Sequence, residues 1–464
     1  MGNIMKKFIG REREIAQLKR LYDGSDFQSA LVYGRRRIGK SELIKQSVKG
    51  SRLTVLYYEC KQTTEKNNIE GLSEIMAEKL NFPKPDFPSF EKALEYLFIY
   101  SQKKKIVLVL DEYPYLHKII DGIDSILQSL IDKYKDTAKL KLIICGSYLD
   151  VMKSLLDNQN PLYGRISLSL DIKPMDYYDS AKFYPSFSNA DKVKLYSVFG
   201  GIPYYNELIN SKLSVKENII HLITAVNSRL ESEINFYLKN EMAKVNNANI
   251  VFETIARGFC KFNDIFNASG IDKSATFADV LERLGNIELI EKEAPINDER
   301  NKKKSIYYIK DNLSLFYYTY VYRYLSQRGI MNEDAFYEKY IEEDFEERYV
   351  PKMFERIFKQ YLIRQNRQGN ITPPLEKVGK YYYDDAVNKK NGEFDVVSLD
   401  ENGYIFYEVK YKNKPVNQSM IDEEIKQVQA TGLSCYRYGF VSKSGFENIA
   451  NDDLLLYTLD DLYV

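Results

Sequence analysis

Apolar residues fall into distinct patterns along the chain. Leu31 to Tyr33, Leu53 to Tyr58, Ile106 to Leu110 and Leu142 to Cys145 are short runs rich in aliphatic, β-branched and aromatic residues. Such runs predict strands buried on both faces. Elsewhere apolar positions return every three or four residues: Ile15, Leu18 and Leu21, then about Ile69 to Leu80, Phe90 to Tyr100, and most of Phe199 to Asn240. That period predicts helices with one buried face. Asn81 to Pro88 reads as a Pro-rich connection. From Asn249 to Lys310 the pattern predicts helices over Ile250–Phe259, Asn263–Ala268 and Ser274–Leu284, then strands over Ile287–Ala294 and Ser305–Ile309. After about Glu342 a long helical stretch, Phe345 to Gln365, precedes strands at Gly392–Val397 and Gly403–Lys410 and a helix at Asp422–Ala430. Four segments follow: 1–175, α/β; 176–245, helical; 246–325, helices ending in a hairpin; and 326–464, again α/β.

Polar residues at the ends of the apolar runs carry the candidate chemistry. The first run continues as Gly34-Arg35-Arg36-Arg37-Ile38-Gly39-Lys40-Ser41, with a helix predicted after it. This is the P-loop pattern in its required setting, strand before and helix after. The backbone N–H groups from Gly34 through Arg35, Arg36, Arg37, Ile38 and Gly39 are expected to wrap phosphates, and Gly34 and Gly39 supply backbone angles that a Cβ would block. The helix N-terminus adds its positive dipole end. Lys40 is expected at the β- and γ-phosphates of ATP and Ser41 on Mg²⁺. A central strand ends in Asp111-Glu112. There Asp111 is expected to hold the metal and Glu112 to orient and polarise the attacking water.

In order, Phe8-x-Gly-Arg-Glu, Gly-Arg-Arg-Arg-Ile-Gly-Lys-Ser, Leu-Asp-Glu, Cys-Gly-Ser, Pro-Leu-Tyr-Gly-Arg and Gly200-Gly201-Ile202-Pro203-Tyr204-Tyr205 stand in one chain. The set resembles the archaeal-type ATPases of the AAA+/STAND class, over nearly the whole length. The resemblance implies a helical lid over residues 176–245, a winged helix with its connector over 246–325, and a further C-terminal domain. It implies that Gly10 and Arg11 lie near the base and sugar, that Ser147 senses the γ-phosphate, and that Arg165 is an arginine finger in its own or a neighbouring subunit. From the residues alone, Ser147 is equally a helix N-cap and Arg165 a surface arginine. The wing carries Arg300, Lys302, Lys303 and Lys304. That density suits phosphate contact, and equally a solvated loop tip or packing against another domain.

In the last segment Asp395 is followed, after a hairpin turn, by Glu408-Val409-Lys410. Strand alternation puts Glu408 and Lys410 on one face. Asp…Glu-x-Lys matches the PD-(D/E)XK nuclease pattern, and Glu355 matches the helix glutamate of such folds. Asp395, Glu408 and Glu355 are then metal ligands, and Lys410 holds the attacking water and neutralises developing charge. Glu393 is a possible substitute ligand.

Composition narrows the choice. Lys plus Arg and Asp plus Glu are 66 each, so any basic face is local. Four scattered cysteines and two histidines make a zinc site or a histidine base improbable and fit a reducing cytoplasm. No apolar run approaches membrane-span length. The expected protein is cytoplasmic, not membrane-bound, with a P-loop AAA+-type core, lid, winged helix and restriction-endonuclease-like domain. It binds and hydrolyses ATP with Mg²⁺, couples this to DNA binding and metal-dependent cleavage, and has scope for a protein partner or homo-oligomer. The alternatives are a STAND-type signalling switch without nuclease activity and a winged-helix DNA-binding regulator.

Overall fold

The computed structural model describes residues 8–234, 245–301, 304–385, 390–449 and 453–464. The end of the expected lid (235–244) and two wing lysines, Lys302 and Lys303, lie outside the described residues. The chain divides into two compact units, residues 1–174 with 202–204, and 175–201 with 205–464. The segments expected as lid, winged helix and C-terminal domain thus fall in the second unit.

In the first unit α1 (Glu12–Asp23), β1 (Gln28–Gly34), α2 (Lys40–Val48), β2 (Thr54–Glu59), α3 (Glu65–Leu80), α4 (Phe90–Lys103), β3 (Ile106–Asp111), α5 (Pro114–Ile119), α6 (Ile123–Tyr134), β4 (Leu140–Gly146), α7 (Leu149–Ser154) and β5 (Leu168–Ile172) follow in order. The five strands form one parallel sheet, ordered β2-β3-β4-β1-β5. Every residue of β3 and β4 is buried, as the unbroken apolar runs require. Register puts Tyr33 beside Gly146, Gly34 beside Ile172 and Glu59 beside Asp111. The C-terminal ends of β1, β3 and β4 therefore share one edge, where open α/β sheets bind ligands.

Lys141 breaks the apolar run of β4. It is fully buried, and its ammonium donates to the carbonyl of Asp26. Burial pushes its pKa down to about 8. Between that value and the ordinary lysine range the folded chain binds fewer protons than the unfolded one. Stability therefore rises with pH across that window, and the penalty is fully present at neutral pH. Lys141→Met should stabilise the unit by roughly 1–2 kcal/mol at neutral pH, after allowing for the unpaired Asp26 carbonyl. Thermal melts at neutral and alkaline pH test this. An unchanged melting temperature at neutral pH would contradict the assignment.

The second unit starts with α8 (Tyr177–Ala181), α9 (Asn189–Phe199), α10 (Pro203–Asn206) and α11 (Val215–Ile219), although Pro203 and Tyr204 cluster with the first unit. Gly200 caps α9 with φ +62°, and a Cβ on Gly201 would lie 1.9 Å from the Met175 carbonyl oxygen. Both glycines of the Gly-Gly-x-Pro stretch are thus sterically required. The segment expected as a winged helix contains α12 (Ala248–Ala256), α13 (Phe262–Ser269), α14 (Ser274–Asn286) and the antiparallel hairpin β6 (Ile290–Glu293) and β7 (Ile306–Ile309). Phe262 and Phe266 pack on Phe277 at its centre. Tyr317, Tyr318 and Tyr320, in the connector that follows, are buried, so these tyrosines serve packing.

The C-terminal part runs α15 (Val350–Gln368), β8 (Lys377–Asp385), β9 (Lys390–Asp400), β10 (Gly403–Lys410), β11 (Val416–Asn417), α16 (Gln418–Ala430), β12 (Arg437–Ser442), β13 (Phe446–Glu447) and β14 (Leu455–Thr458). Its main sheet is mixed, ordered β14-β12-β10-β9-β8. β9 is antiparallel to both β8 and β10, whereas β10, β12 and β14 are parallel. A β-bulge separates Gly379 from Tyr381, so Lys380 stands opposite both Asp395 and Val396.

The chain after β6 covers the edge of this sheet. The Ile296 N–H donates to the Lys380 carbonyl at 2.8 Å, and Asn297 bonds Tyr382 through its own amide group in both directions. Ile296 joins Tyr381, Val397, Phe406 and Val428 in one apolar cluster. A Cβ on Gly379 would lie 2.8 Å from an Ile296 methyl. Lys304 pairs with Asp298 at 3.0 Å and lies over the Tyr382 ring. Among the described wing residues Arg300 is exposed, whereas Ile296, Asn297 and Lys304 pack against β8. An exposed sheet edge is thereby protected.

Candidate functional site

The P-loop closes from β1 into α2. Gly34 has φ +152°, and a Cβ there would sit 2.4 Å from the Ile172 carbonyl oxygen. Gly39 has φ +89°. Arg37 also adopts a left-handed conformation, φ +68°, which is uncommon for a residue with a Cβ. Its guanidinium lies over the Tyr204 ring, 4.1 Å from the centroid, so the Pro-Tyr of the Gly-Gly-x-Pro stretch reaches the loop. Ile38 is buried and anchors it. The Lys40 ammonium donates to the Gly34 and Arg35 carbonyls at 3.0 and 3.1 Å and to the Ser147 hydroxyl at 2.9 Å. Burial lowers its pKa, against the opposing pull of Cys145, Glu112 and Asp111.

Ser41 donates to Asp111 Oδ2 at 2.7 Å. Tyr57, on β2, donates to the same oxygen, and the Glu112 N–H donates to Oδ1 at 3.0 Å. Burial raises the Asp111 pKa, but the hydrogen bonds from Tyr57, Ser41, Cys145 and the Glu112 N–H outweigh it and hold the carboxyl below the usual range. Ser41 and Asp111 thus present adjacent hard oxygen donors, a set that fits Mg²⁺. Glu112 is left-handed, φ +53°, and its Oε1 accepts from Ser147 at 3.1 Å. Ser147 therefore links Lys40 to Glu112. The N-cap of α7 is Tyr148, not Ser147. The Tyr113 after Glu112 is fully buried and donates to Asp124 at 2.6 Å. Asp124 also accepts from Asn160 at 3.0 Å, so the turn after β3 is pinned from behind.

A second group of charges gathers on the C-terminal sheet. Lys380 pairs with Asp395 and lies 3.7 Å from Glu393, which also lies 3.5 Å from Lys261 of the winged helix. Lys410 lies between Glu408, at 2.6 Å, and Glu424 of α16, at 2.7 Å. Glu355 projects from α15. Burial and then the Asp395 charge push its pKa up to about 7, with Lys380 and Lys352 opposing. Burial also raises Glu408. The acids Glu355, Asp395 and Glu408 therefore share one electrostatic neighbourhood. Hard, partly buried carboxylates of this kind fit a divalent cation, but among the described residues no three His, Cys, Asp or Glu side chains converge as a ready metal cage. Lys380 instead pairs with Asp395, and Lys410 with Glu408.

Residues 8–209 match the family described as an ATPase domain predominantly from Archaea. They form an archaeal-type ATPase domain. Residues 317–427 match a second family, archaeal and bacterial proteins of unknown function. An uncharacterised protein of Methanocaldococcus jannaschii is 29% identical over 98% of this chain and 99% of its own length. Among solved structures, a Walker-type ATPase of Pyrococcus abyssi aligns at TM-score 0.49 and 18% identity, over 67% of this chain and 96% of that one. The ORC2 protein of Aeropyrum pernix, in ADPNP–ADP complexes, aligns at TM-score 0.47 and 13% identity, over 68% and 94%. Among the described residues no helix is long and apolar enough to cross a membrane.

The ATPase domain places its remaining candidates unequally. Gly10 and Arg11 are both left-handed, with φ +68° and +65°. Arg11 donates to the Lys173 carbonyl at 2.5 Å, one residue past the strand partner of Gly34, so it stands at the P-loop edge. Arg165 does not. Its guanidinium forms a two-point pair with Asp132 of α6 at 3.0 and 2.7 Å, and its carbonyl accepts from Ser29 at 2.5 Å. Ser29 lies five residues before Gly34 on β1, about 17 Å away along an extended strand. The expectation that Arg165 reaches its own chain's nucleotide is thereby corrected.

Tyr57, Lys380 and Glu424 escaped the sequence reading. Tyr57 lay in plain view in a strand, but its role depends on β2 pairing with β3. Tyr57→Phe removes one donor from Asp111 without changing shape. ATP turnover should fall about 10-fold or more, as for other partners that orient a metal ligand, with the melting temperature little changed. Wild-type turnover would show that Tyr57 only packs.

Proposed function

We propose that the chain is an ATP-hydrolysing switch whose nucleotide state governs a C-terminal domain that binds and cleaves DNA. The observation that carries the ATP half is the joined set Lys40, Ser41, Asp111, Glu112 and Ser147 at one sheet edge. The P-loop N–H groups and Lys40 bind the β- and γ-phosphates. Ser41 and Asp111 hold Mg²⁺, which neutralises phosphate charge. Glu112 orients the attacking water, and Ser147 reports the γ-phosphate by exchanging its bond to Lys40. Gly10 and Arg11 border the base and sugar. Arg165, remote from its own P-loop, would serve only a neighbouring subunit's nucleotide.

For the second half, helix–strand–strand–strand–helix–strand order supports a PD-(D/E)XK-type domain, with Asp395, Glu408 and Lys410 on adjacent strands and Glu355 behind them. Asp395, Glu408 and Glu355 would hold a divalent metal, which activates water and stabilises the charge on phosphorus. Lys410 holds the water and shares that charge. A second reading, a switch that binds without cutting, is favoured by one observation: Lys380 and Lys410 already neutralise Asp395 and Glu408. Incubating single- and double-stranded DNA with the full chain, Mg²⁺ or Mn²⁺, and with or without ATP, tests both. Metal-dependent cutting supports the nuclease. ATP turnover and DNA binding with no cutting under any condition would favour the second reading.

A further inference from the structure

The expected winged helix would ordinarily be the first place to seek a nucleic-acid contact, but Ile296, Asn297 and Lys304 of its wing are engaged with β8. Arg300 of the wing is exposed, and further exposed positive charge lies beyond the wing. Beyond β10 the chain passes Lys410, Lys412 and Lys414 and turns into α16. Those three lysines, with Val416, Met420 and Glu447, line a cavity of about 330 Å³. Lys412 and Lys414 are exposed and make no ion pair among the described residues. Lys410, at the inner end, is the lysine held by Glu408 and Glu424.

The loop that carries these lysines is held in shape. Ser444 donates to the Lys412 carbonyl at 2.7 Å, Lys443 donates to the Asn413 side chain at 2.6 Å, and the Val416 N–H donates to the Gly445 carbonyl at 3.0 Å. β11 then pairs with β13. Two unpaired ammonium groups outnumber the single Glu447 carboxylate, and Val416 and Met420 give the cavity an apolar lining. Fixed positive charges beside an apolar surface suit a sugar–phosphate chain: phosphates meet the lysines and sugars meet the lining.

We propose that this cavity is a groove for the phosphodiester backbone of nucleic acid and leads it to Lys410. The proposal deepens the DNA-processing reading and rests on it only for the purpose of the groove, not for binding itself.

The test is binding of fluorescent DNA duplex to the full chain in EDTA across a salt series, with wild type and K412A/K414A. Each lost phosphate contact removes about 0.9 from the slope of log affinity against log salt. The double variant should therefore lose about 1.8 from that slope and bind at least about 10-fold more weakly at moderate salt. Its ATP turnover should match wild type, which verifies folding. Unchanged affinity and slope in K412A/K414A would overturn the groove, even if wild type cuts DNA. Stronger binding of polyglutamate than of DNA would overturn it in favour of an acidic peptide. Weakened DNA binding in the double variant, with no cutting by wild type in Mg²⁺ or Mn²⁺, would sustain the groove and sink the cleavage reading.

Discussion

Lys40→Ala should lose ATP binding and turnover together, whereas Glu112→Gln should keep ATP and lose turnover. The contrast follows from where the two groups stand. Lys40 is only 6% exposed, so its charge acts on phosphates in a medium that screens it little. It is also the one side chain that joins the loop carbonyls to Ser147. Deleting it removes ground-state and transition-state stabilisation at once, and a loss of at least about 10²–10³ in turnover is expected. Glu112 makes no contact with the P-loop carbonyls. Glutamine keeps an Oε1 for the Ser147 hydroxyl and the shape of the turn, but it cannot take a proton from water. Loss of a positioned general base costs about 10²–10⁴. Equilibrium binding of labelled ATP and a phosphate-release assay read the two effects separately. Wild-type turnover in Lys40→Ala would end the ATP reading of this loop. Equal loss of binding in both variants would show that Glu112 holds the nucleotide and does not act on water.

Sequence was most informative where a local pattern and its chemistry coincide. A charge inside a buried strand is costly, so the carboxylates of Asp111 and Glu112 and the glycine-lysine of the P-loop were expected at strand ends; Lys141, whose ammonium finds the Asp26 carbonyl, is the exception. Glu408 and Lys410 were placed on one face by strand alternation alone. What stayed hidden depends on pairing between distant elements. The bond from Tyr57 to Asp111 needs the register of β2 against β3. The contact of Lys380 with Asp395 comes from a bulge, which sets one residue against two and re-aims side chains at the point where alternation fails. The own-chain option for Arg165 failed because a loop marked by Pro161 and Gly164 says where the chain turns, not to which end of the sheet it returns. The wing was ambiguous for a related reason. Its charges suggested phosphate contact, whereas the packing of Ile296 on Gly379 appears only when β8 is alongside.

Asp395→Ala and Lys410→Ala should each abolish DNA cleavage, for different reasons, and that difference makes the pair decisive. Asp395 is half of a carboxylate pair on adjacent strands, so alanine would remove a ligand from the proposed divalent cation. Lys410 contributes no ligand. Its ammonium lies between Glu408 and Glu424, where it compensates two acids in the resting fold and can turn to water or phosphate when a cation takes over that compensation. Loss of such a charge-stabilising group is worth about 10²–10³ in rate. Raising the Mn²⁺ concentration should partly restore a variant weakened only in metal affinity, such as Asp395→Glu, and should do nothing for Lys410→Ala. Removing Lys410 also leaves Glu408 and Glu424 facing each other, so a lower melting temperature is expected for that variant. Lys410→Gln, which can still bond one acid, separates this loss of stability from the chemistry. If Lys410→Gln is stable and cuts like wild type, Lys410 is a structural counter-charge and the catalytic assignment fails. If it is stable and inactive while still binding DNA, the lysine acts in the reaction itself.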